Sequence, residues 1–419
     1  MLLARRRRHH ARTRPCLAEE PALAHGVAPV LLVPIRARRR ARLSTRSSGV
    51  WQPLWQEMLD ISAPLLCFVN PKSGGGHGLE VLQSLERQLS PLNVCNLCDP
   101  LQEPSRILRL FTRRFSRGLR LVVAGGDGTV GSVIAMLQDM EQAGELPSWP
   151  SIAVLPLGTG NDLARVLGWG GGWAGEPLNR ILAATRVAST TFVDLWNATI
   201  RPLSPGAACV PIPGHGNPQA DRKLHSVAFC NYFGVGVDAR IASRFDQMRR
   251  CFPRRFKNRT LNKVHYFWVG AIEFFASLRN SCTQLSKEVA LRCDGMDYEL
   301  GRHVKGIIFS NINSYGGGSK LTAQCCHQDG KLDVVLIRGP FGGVPHLALV
   351  KLGLARGHKL CQAKTVELTN RTAMPIQVDG EPWEQPPSRI EVTPSFTKAS
   401  MLQRSDSERE GCIVERSDF

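Results

Sequence analysis

From residue 64 onward, runs of consecutive apolar residues alternate with stretches whose apolar residues return every three or four positions. Segments 65–69, 94–97, 119–124 and 152–155 have the length and continuity of strands buried on both faces, and glycine or proline follows close behind each. Between them, 78–89, 105–115 and 131–142 carry helical spacing. This alternation predicts an α/β domain over 62–190, a parallel sheet covered by helices. Beyond it the texture is mostly strand, with candidates at 190–200, 226–237, 288–300, 304–311, 332–337, 365–368, 376–379 and 389–393. Helical stretches at 239–248, 262–278 and 346–354 interrupt them. A second, β-rich α+β domain is therefore expected over 191–400. The Pro- and Gly-rich segment 202–218 reads as a surface loop, and 401–419 as a polar tail.

Charge adds a third region at the start. The 419-residue chain has a formal net charge of +18, and residues 1–50 alone hold twelve arginines against Glu19 and Glu20. Residues 1–61 are thus a basic arm, either a disordered extension or a targeting or anionic-lipid-binding segment. Its Arg-rich, acid-poor composition resembles an organelle transit peptide, although four prolines interrupt any helix there. No apolar stretch reaches the length needed to cross a bilayer, so a soluble or peripheral protein is expected. A strongly basic chain seeks an acidic partner, and nucleic acid, an anionic lipid surface and nucleotide phosphates all qualify. The thirteen cysteines are odd in number and irregularly spaced, which reads as reduced thiols in an intracellular compartment. Cys95/Cys98 and Cys325-Cys326-His327 lack the second pair that a zinc site needs.

The strongest chemical signal is Gly125-Gly126-Asp127-Gly128-Thr129-Val130-Gly131, where a strand runs into a glycine turn and then a helix expected to begin near Thr129. Glycines let the backbone approach phosphate and free its amides, and the helix start adds positive potential. Gly126, Gly128 and Gly131 also satisfy a weak dinucleotide-binding pattern. Asp127 argues against that reading, because a fixed carboxylate repels bare pyrophosphate but suits a site that handles Mg²⁺ or a proton beside phosphates. Gly158-Thr159-Gly160-Asn161-Asp162 repeats the theme, with a Thr159 hydroxyl for phosphate and Asn161 or Asp162 as a helix cap. Asn70-Pro71-Lys72-Ser73-Gly74-Gly75 follows the first strand, so three strands of one sheet end in polar glycine-bearing loops, where parallel sheets bind ligands. The P-loop and protein-kinase signatures are both absent. Far downstream, Asp379-Gly380-Glu381 places two carboxylates on a tight turn, as an acid/base pair or as an ordinary hairpin turn.

Together these segments, with 168–172, 231–239 and 377–383, resemble the diacylglycerol kinase family in order and spacing over roughly 62–400. The Gly-Gly-Asp-Gly-Thr element alone is shared with sphingosine, ceramide and NAD kinases. The Asn231-Tyr232-Phe233 and Asp379-Gly380-Glu381-Pro382-Trp383 segments narrow the likeness to eukaryotic-type diacylglycerol kinases. The resemblance implies an NAD kinase/diacylglycerol kinase-like α/β domain and a C-terminal β-sandwich-like domain, with ATP and Mg²⁺ in the cleft between them. It further implies transfer of the γ-phosphate of ATP to diacylglycerol. Asp127 would sit beside phosphates and metal, the three glycine-bearing loops would hold the nucleotide, and Asp379 or Glu381 would take the substrate proton. Gln328-Asp329-Gly330-Lys331 resembles a structural Mg²⁺ loop of bacterial relatives, with Asp329 as ligand and Lys331 in place of an apolar residue. The paired Cys/His zinc modules of most animal members are missing. Diacylglycerol and an anionic membrane surface are the expected partners, without nucleic acid, at a cytoplasmic, peripherally membrane-associated location. The alternatives are a sphingoid-base or ceramide kinase and a lipid-binding pseudokinase.

Overall fold

The computed structural model describes residues 64–115, 118–204, 225–252, 285–339 and 343–405, with single helical positions at 265, 269, 270 and 272. The basic arm at 1–61, most of the loop expected at 202–218, most of the helix expected at 262–278 and the tail beyond residue 405 lie outside the described residues. No described helix is long and apolar enough to cross a membrane.

Parallel strands β1 (Leu65–Val69), β2 (Val94–Asn96), β3 (Arg120–Gly125) and β4 (Ser151–Pro156) lie in the order β2-β1-β3-β4. All five β1 residues are buried, as a strand covered on both faces requires. Leu65, Cys67 and Val69 share one apolar cluster with helix α1 (His77–Gln88) through Val81, Leu82 and Leu85, and with α5 (Leu178–Val187) through Leu178 and Leu182. Helices α2 (Pro104–Arg114) and α3 (Asp127–Gln142) pack against each other, and α3 also meets β3. A five-residue helix, α4 (Asp162–Val166), follows β4.

The remaining strands are antiparallel. β5 (Ser189–Pro202) and β16 (Ser388–Gln403) form a long ribbon, and β16 also meets β4 in parallel at Met401↔Ile152. β16 therefore runs past residue 400 to Gln403 and carries one sheet from the α/β half into the β half. That sheet continues through β13 (Val366–Asn370), β8 (Val289–Cys293) and β9 (Met296–Tyr298), with β6 (His225–Phe229) on β5. A second sheet, β12-β11-β10-β7-β14-β15, uses β7 (Tyr232–Gly236), β10 (Val304–Ser310), β11 (Leu332–Arg338), β12 (His358–Ala363), β14 (Met374–Val378) and β15 (Glu381–Gln385). Trp196, Phe229, Phe233, Phe309, Ile376 and Trp383 fill the core shared by strands of the two sheets. Helices α6 (Val237–Cys251), α7 (Leu285–Glu288) and α8 (Val344–Lys351) and the 3₁₀ segments Ser73–Gly76 and Pro91–Asn93 complete the described elements.

Two expected strands are broken. The segment 226–237 bends at Cys230-Asn231, where three successive amides turn toward the Asp379 carboxylate. The segment 288–300 is a hairpin turning at Asp294-Gly295, with Asp294 at φ 47° and its carboxylate accepting the Lys364 and Thr365 amides.

Candidate functional site

The carboxyl ends of β1, β3 and β4 open onto a cleft of about 1130 Å³, whose opposite wall is built from α6, the 315–319 turn, Lys351 and the β14–β15 turn. Its lining includes Asn70, Lys72, Ser73, Gly74, Gly75, Gly126, Asp127, Gly128, Thr129, Gly158, Thr159, Gly160, Asp162, Asp379 and Glu381. Pro71, Gly125 and Asn161 do not line it. The two halves touch closely: a Cβ added to Gly128 would come 3.3 Å from Glu381 Oε1.

The two glycine turns of the first half lie against each other. A Cβ on Gly158 would stand 2.7 Å from the Gly126 Cα, nearer than atoms can approach, so Gly158 needs glycine, while a Cβ on Gly126 would make a tight 3.1 Å approach to the Gly158 Cα. Helix α3 starts at Asp127 itself, two residues earlier than the sequence suggested, with Gly126 as its N-cap. Thr129 Oγ1 accepts the Asn70 amide at 3.1 Å, tying the first loop to the second.

Asp127 is the cap of α4. Its Oδ2 accepts the Asp162 amide at 3.1 Å and its Oδ1 the Leu163 amide at 3.3 Å, so the orphan N–H groups of α4 are met from 35 residues away. Asn161 occupies the N-cap position in the left-handed region (φ 53°) and makes no side-chain cap bond. Its Nδ2 instead donates to the Gly158 and Gly171 carbonyls. Burial, then the Asp162 charge, push the Asp127 carboxyl up to about 7, against the two backbone bonds, and Asp379 adds to the rise.

Asp162 binds the halves together. It accepts from Ser314 Oγ at 2.6 Å, the Gly317 and Gly318 amides at 3.0 and 3.1 Å, and the Tyr232 hydroxyl at 3.3 Å. Beside it, Gln377 Nε2 donates to Asp238 Oδ2 at 2.6 Å, and the Tyr315 hydroxyl donates to Asp238 Oδ1. Lys351 Nζ sits 4.5 Å from the Tyr315 ring centroid. Burial lowers its pKa, opposed by the Asp238 and Asp162 charges. Tyr232, Asp238 and Gln377 fall within the resembling segments but drew no role from the sequence. Tyr315 and Lys351 carry no local signal at all, and only the tertiary structure brings them to the cleft.

The acids of the downstream turn differ from each other. Asp379 (φ 48°) accepts the Cys230, Asn231 and Tyr232 amides at 3.1, 2.9 and 3.0 Å. Burial lifts its carboxyl to about 6, and those amides restrain the rise. The Glu381 carboxylate makes no hydrogen bond among the described residues, although its backbone pairs with Val378. Burial raises its pKa, with Arg249 opposing.

Asp329 lies away from the cleft. Its exposed carboxylate accepts the Lys331 amide of its own turn at 3.0 Å. The neighbouring loop is organised by buried Asp194, which accepts the Gly330 amide at 2.6 Å and pairs with Lys398 Nζ at 2.7 Å. Lys398 Nζ also donates to the Gln328 carbonyl at 3.0 Å. The Lys398 ammonium thus shares this loop with the Asp329 carboxylate. Among the described residues no three His, Cys, Asp or Glu side chains converge on a metal position.

A model of the diacylglycerol kinase catalytic domain matches residues 64–193, and one of the diacylglycerol kinase accessory domain matches 228–382. The chain is 33% identical over 390 residues to diacylglycerol kinase zeta of Rattus norvegicus, covering 88% of this chain and 40% of that protein. It is 35% identical over 353 residues to diacylglycerol kinase theta of Homo sapiens, covering 82% and 35% respectively. A crystal structure of a diacylglycerol kinase from Bacillus anthracis str. Sterne aligns at 19% identity and TM-score 0.46, covering 82% of this chain and 98% of that one. The chain spans less than half the length of the two curated relatives.

Proposed function

Because the chain belongs to the diacylglycerol kinase family, we propose that it transfers the γ-phosphoryl group of ATP to the free hydroxyl of 1,2-diacylglycerol, giving phosphatidic acid. We assign the fold accordingly to the diacylglycerol kinase-like arrangement, an α/β catalytic domain over 62–190 and a sandwich-like accessory domain over 191–400. The observation that carries the proposal is the meeting of the two halves at one cleft, with Glu381 Oε1 beside Gly128 at the start of α3.

In this reading the glycine turns and the start of α3 face the nucleotide phosphates. Asp127 is the residue to hold Mg²⁺ together with those phosphates, since Mg²⁺ is commonly bound by one or two carboxylates plus substrate oxygens and water. The ion, when bound, neutralises phosphate charge during transfer. Glu381, its carboxylate free of internal hydrogen bonds and its pKa raised, takes the hydroxyl proton. Asp379, committed to three amides, is a positioning residue that fixes the turn carrying Glu381. An anionic bilayer is the proposed docking surface, with the arginines of residues 1–50 supplying attraction.

The test is incubation of the full chain with labelled ATP, Mg²⁺ and a panel of diacylglycerol, sphingosine and ceramide in mixed micelles. Labelled phosphatidic acid is expected. Label in sphingosine or ceramide alone would favour the other lipid kinases, and no transfer by the folded chain would favour a lipid-binding pseudokinase.

A further inference from the structure

Helix α8 and the turn that follows it carry apolar residues on both sides, yet only one side is covered. Val344, Leu347 and Val350 are buried in a cluster shared with Ile241 of α6 and Tyr315 of the cleft wall. Leu349, Leu352 and Leu354 are 43, 55 and 74% exposed, three leucines within six positions. Other exposed apolar side chains, such as Val187 and Phe396, stand apart in sequence, which is ordinary for a protein surface.

This exposure is held in place by the backbone. The Gly353 amide donates to the Val350 carbonyl and the Leu354 amide to the Leu349 carbonyl, each at 2.9 Å, with Gly353 at φ 74°, which is the bonding of a glycine-terminated helix end. Such an end commonly packs the two residues of the outer bond against each other, but here both Leu349 and Leu354 remain exposed. Ser319 Oγ donates to the Lys351 carbonyl at 2.8 Å, the Gly357 amide to the Leu321 carbonyl at 2.8 Å, and His346 Nε2 to the Arg356 carbonyl at 2.9 Å. A tip fixed in this way gives up little conformational freedom when it is covered. Its charge is one-sided, since residues 334–366 contain five Lys or Arg and no Asp or Glu. Lys359 is spent on Asp333 at 2.7 Å, whereas Arg356 is exposed beside the leucines, and Lys320, also exposed, precedes the Leu321 carbonyl that holds Gly357. Lys351, between Leu349 and Leu352, lines the cleft. The leucines therefore flank a residue of the cleft wall.

We propose that Leu349, Leu352 and Leu354 enter the boundary between headgroups and acyl chains of an anionic phospholipid bilayer, with Arg356 and Lys320 among the headgroups, so that the cleft opens at the membrane surface. An apolar tip with cations beside it and no acids is the chemistry of an interfacial anchor, because the leucines leave water while the cations meet lipid phosphates. A second copy of this chain would set like charges against each other, since the tip is basic in both copies. The choice of a bilayer rests on the proposed lipid substrate, whose acyl chains stay in the membrane while its hydroxyl reaches Glu381.

The test is co-sedimentation of the full chain with phosphatidylcholine vesicles containing phosphatidylserine, without ATP or diacylglycerol, at about 0.15 M salt. Wild type should bind, and Leu352→Glu with Leu354→Glu should lower the ratio of bound to free protein about tenfold or more. Leu354→Glu alone, at the most exposed of the three positions, should act in the same direction. Phe396→Glu, which changes an exposed side chain outside the cleft lining, should bind as wild type does. Wild type that stays in solution, or a folded double variant that binds as well as wild type, would overturn the proposal. So would a lipid-free chain that is a dimer and becomes a monomer in the double variant, because a second copy would then cover the tip. A chain that phosphorylates diacylglycerol in mixed micelles but fails these vesicle measurements would refute the tip and leave the kinase reading standing. Leucine-dependent vesicle binding without phosphoryl transfer would do the reverse.

Discussion

Two Asp-Gly turns, Asp127-Gly128 and Asp329-Gly330, look alike in sequence, and each was expected to meet a metal ion. The structure gives them opposite surroundings. Asp127 is half-buried, its charged neighbours Asp162 and Asp379 are acids, and its carboxyl is pushed up to about 7. Asp329 is exposed and satisfied within its own turn, and the nearby cation, Lys398, is spent on Asp194 and the Gln328 carbonyl. The lesson is that a carboxylate beside a turn glycine is legible locally, whereas the charge that answers it comes from elsewhere in the chain. A cluster of acids with perturbed pKa values in a cleft is where function gathers.

The comparison breaks first at Asp127. Asp127→Ala should cut turnover on the order of a thousandfold or more, because positioned charge and metal contribute several kcal/mol to phosphoryl transfer. Circular dichroism and a cooperative melt should show the variant folded. Asp329→Ala should leave turnover within about twofold, and a large loss there would return the second turn to the mechanism.

Stability sharpens the contrast. The folded-state pKa of Asp127 lies above its ordinary value of 3.8, so the folded chain binds more protons than the unfolded one between about pH 4 and pH 7. The nucleotide-free chain should therefore lose stability as pH rises through that window. Asp127→Asn should flatten the slope and stabilise the nucleotide-free state at pH 8 by about 1–3 kcal/mol. Urea titrations at pH 5, 6, 7 and 8 would reveal it, and an unchanged slope would mean that Asp127 does not titrate there.

The lysine staple gives the next largest effect. Lys398→Met strands the buried Asp194 charge and should cost about 1–3 kcal/mol, below the range for fully buried pairs because Lys398 is half exposed. Asp329→Ala should cost at most about 1 kcal/mol. Thermal melts of both, with Mg²⁺ and with chelator, check this. Equal losses, or a wild-type melt lowered by chelator in the absence of nucleotide, would support the metal reading of the loop.

Much of the first half is legible because its cues are local. The continuous apolar run of β1 and the amphipathic spacing of α1 identify themselves, and the glycine turns follow the strands directly. The second half hides more. β15 begins Glu381-Pro382 and ends Glu384-Gln385, too polar to read as a strand, and β12 is only partly buried. The break between β6 and β7 depends on an Asp379 carboxylate about 150 positions away, and Asp162 is held by glycine amides just as distant. No window of sequence contains both partners of such contacts. The resemblance located Asp379 and Glu381 as a pair, and only the hydrogen bonds separate the committed acid from the free one.

The central claim is that Glu381, carried by the second half, takes the proton of the lipid hydroxyl that attacks a phosphoryl group held by the first. Glu381→Gln keeps size and polarity and removes the charge. Its rate of phosphatidic acid formation should be measured against wild type in mixed micelles at saturating MgATP and diacylglycerol. The account predicts a kcat lower by about a hundredfold or more with the KM for ATP within about threefold. An unchanged kcat with only a raised KM for ATP would contradict it.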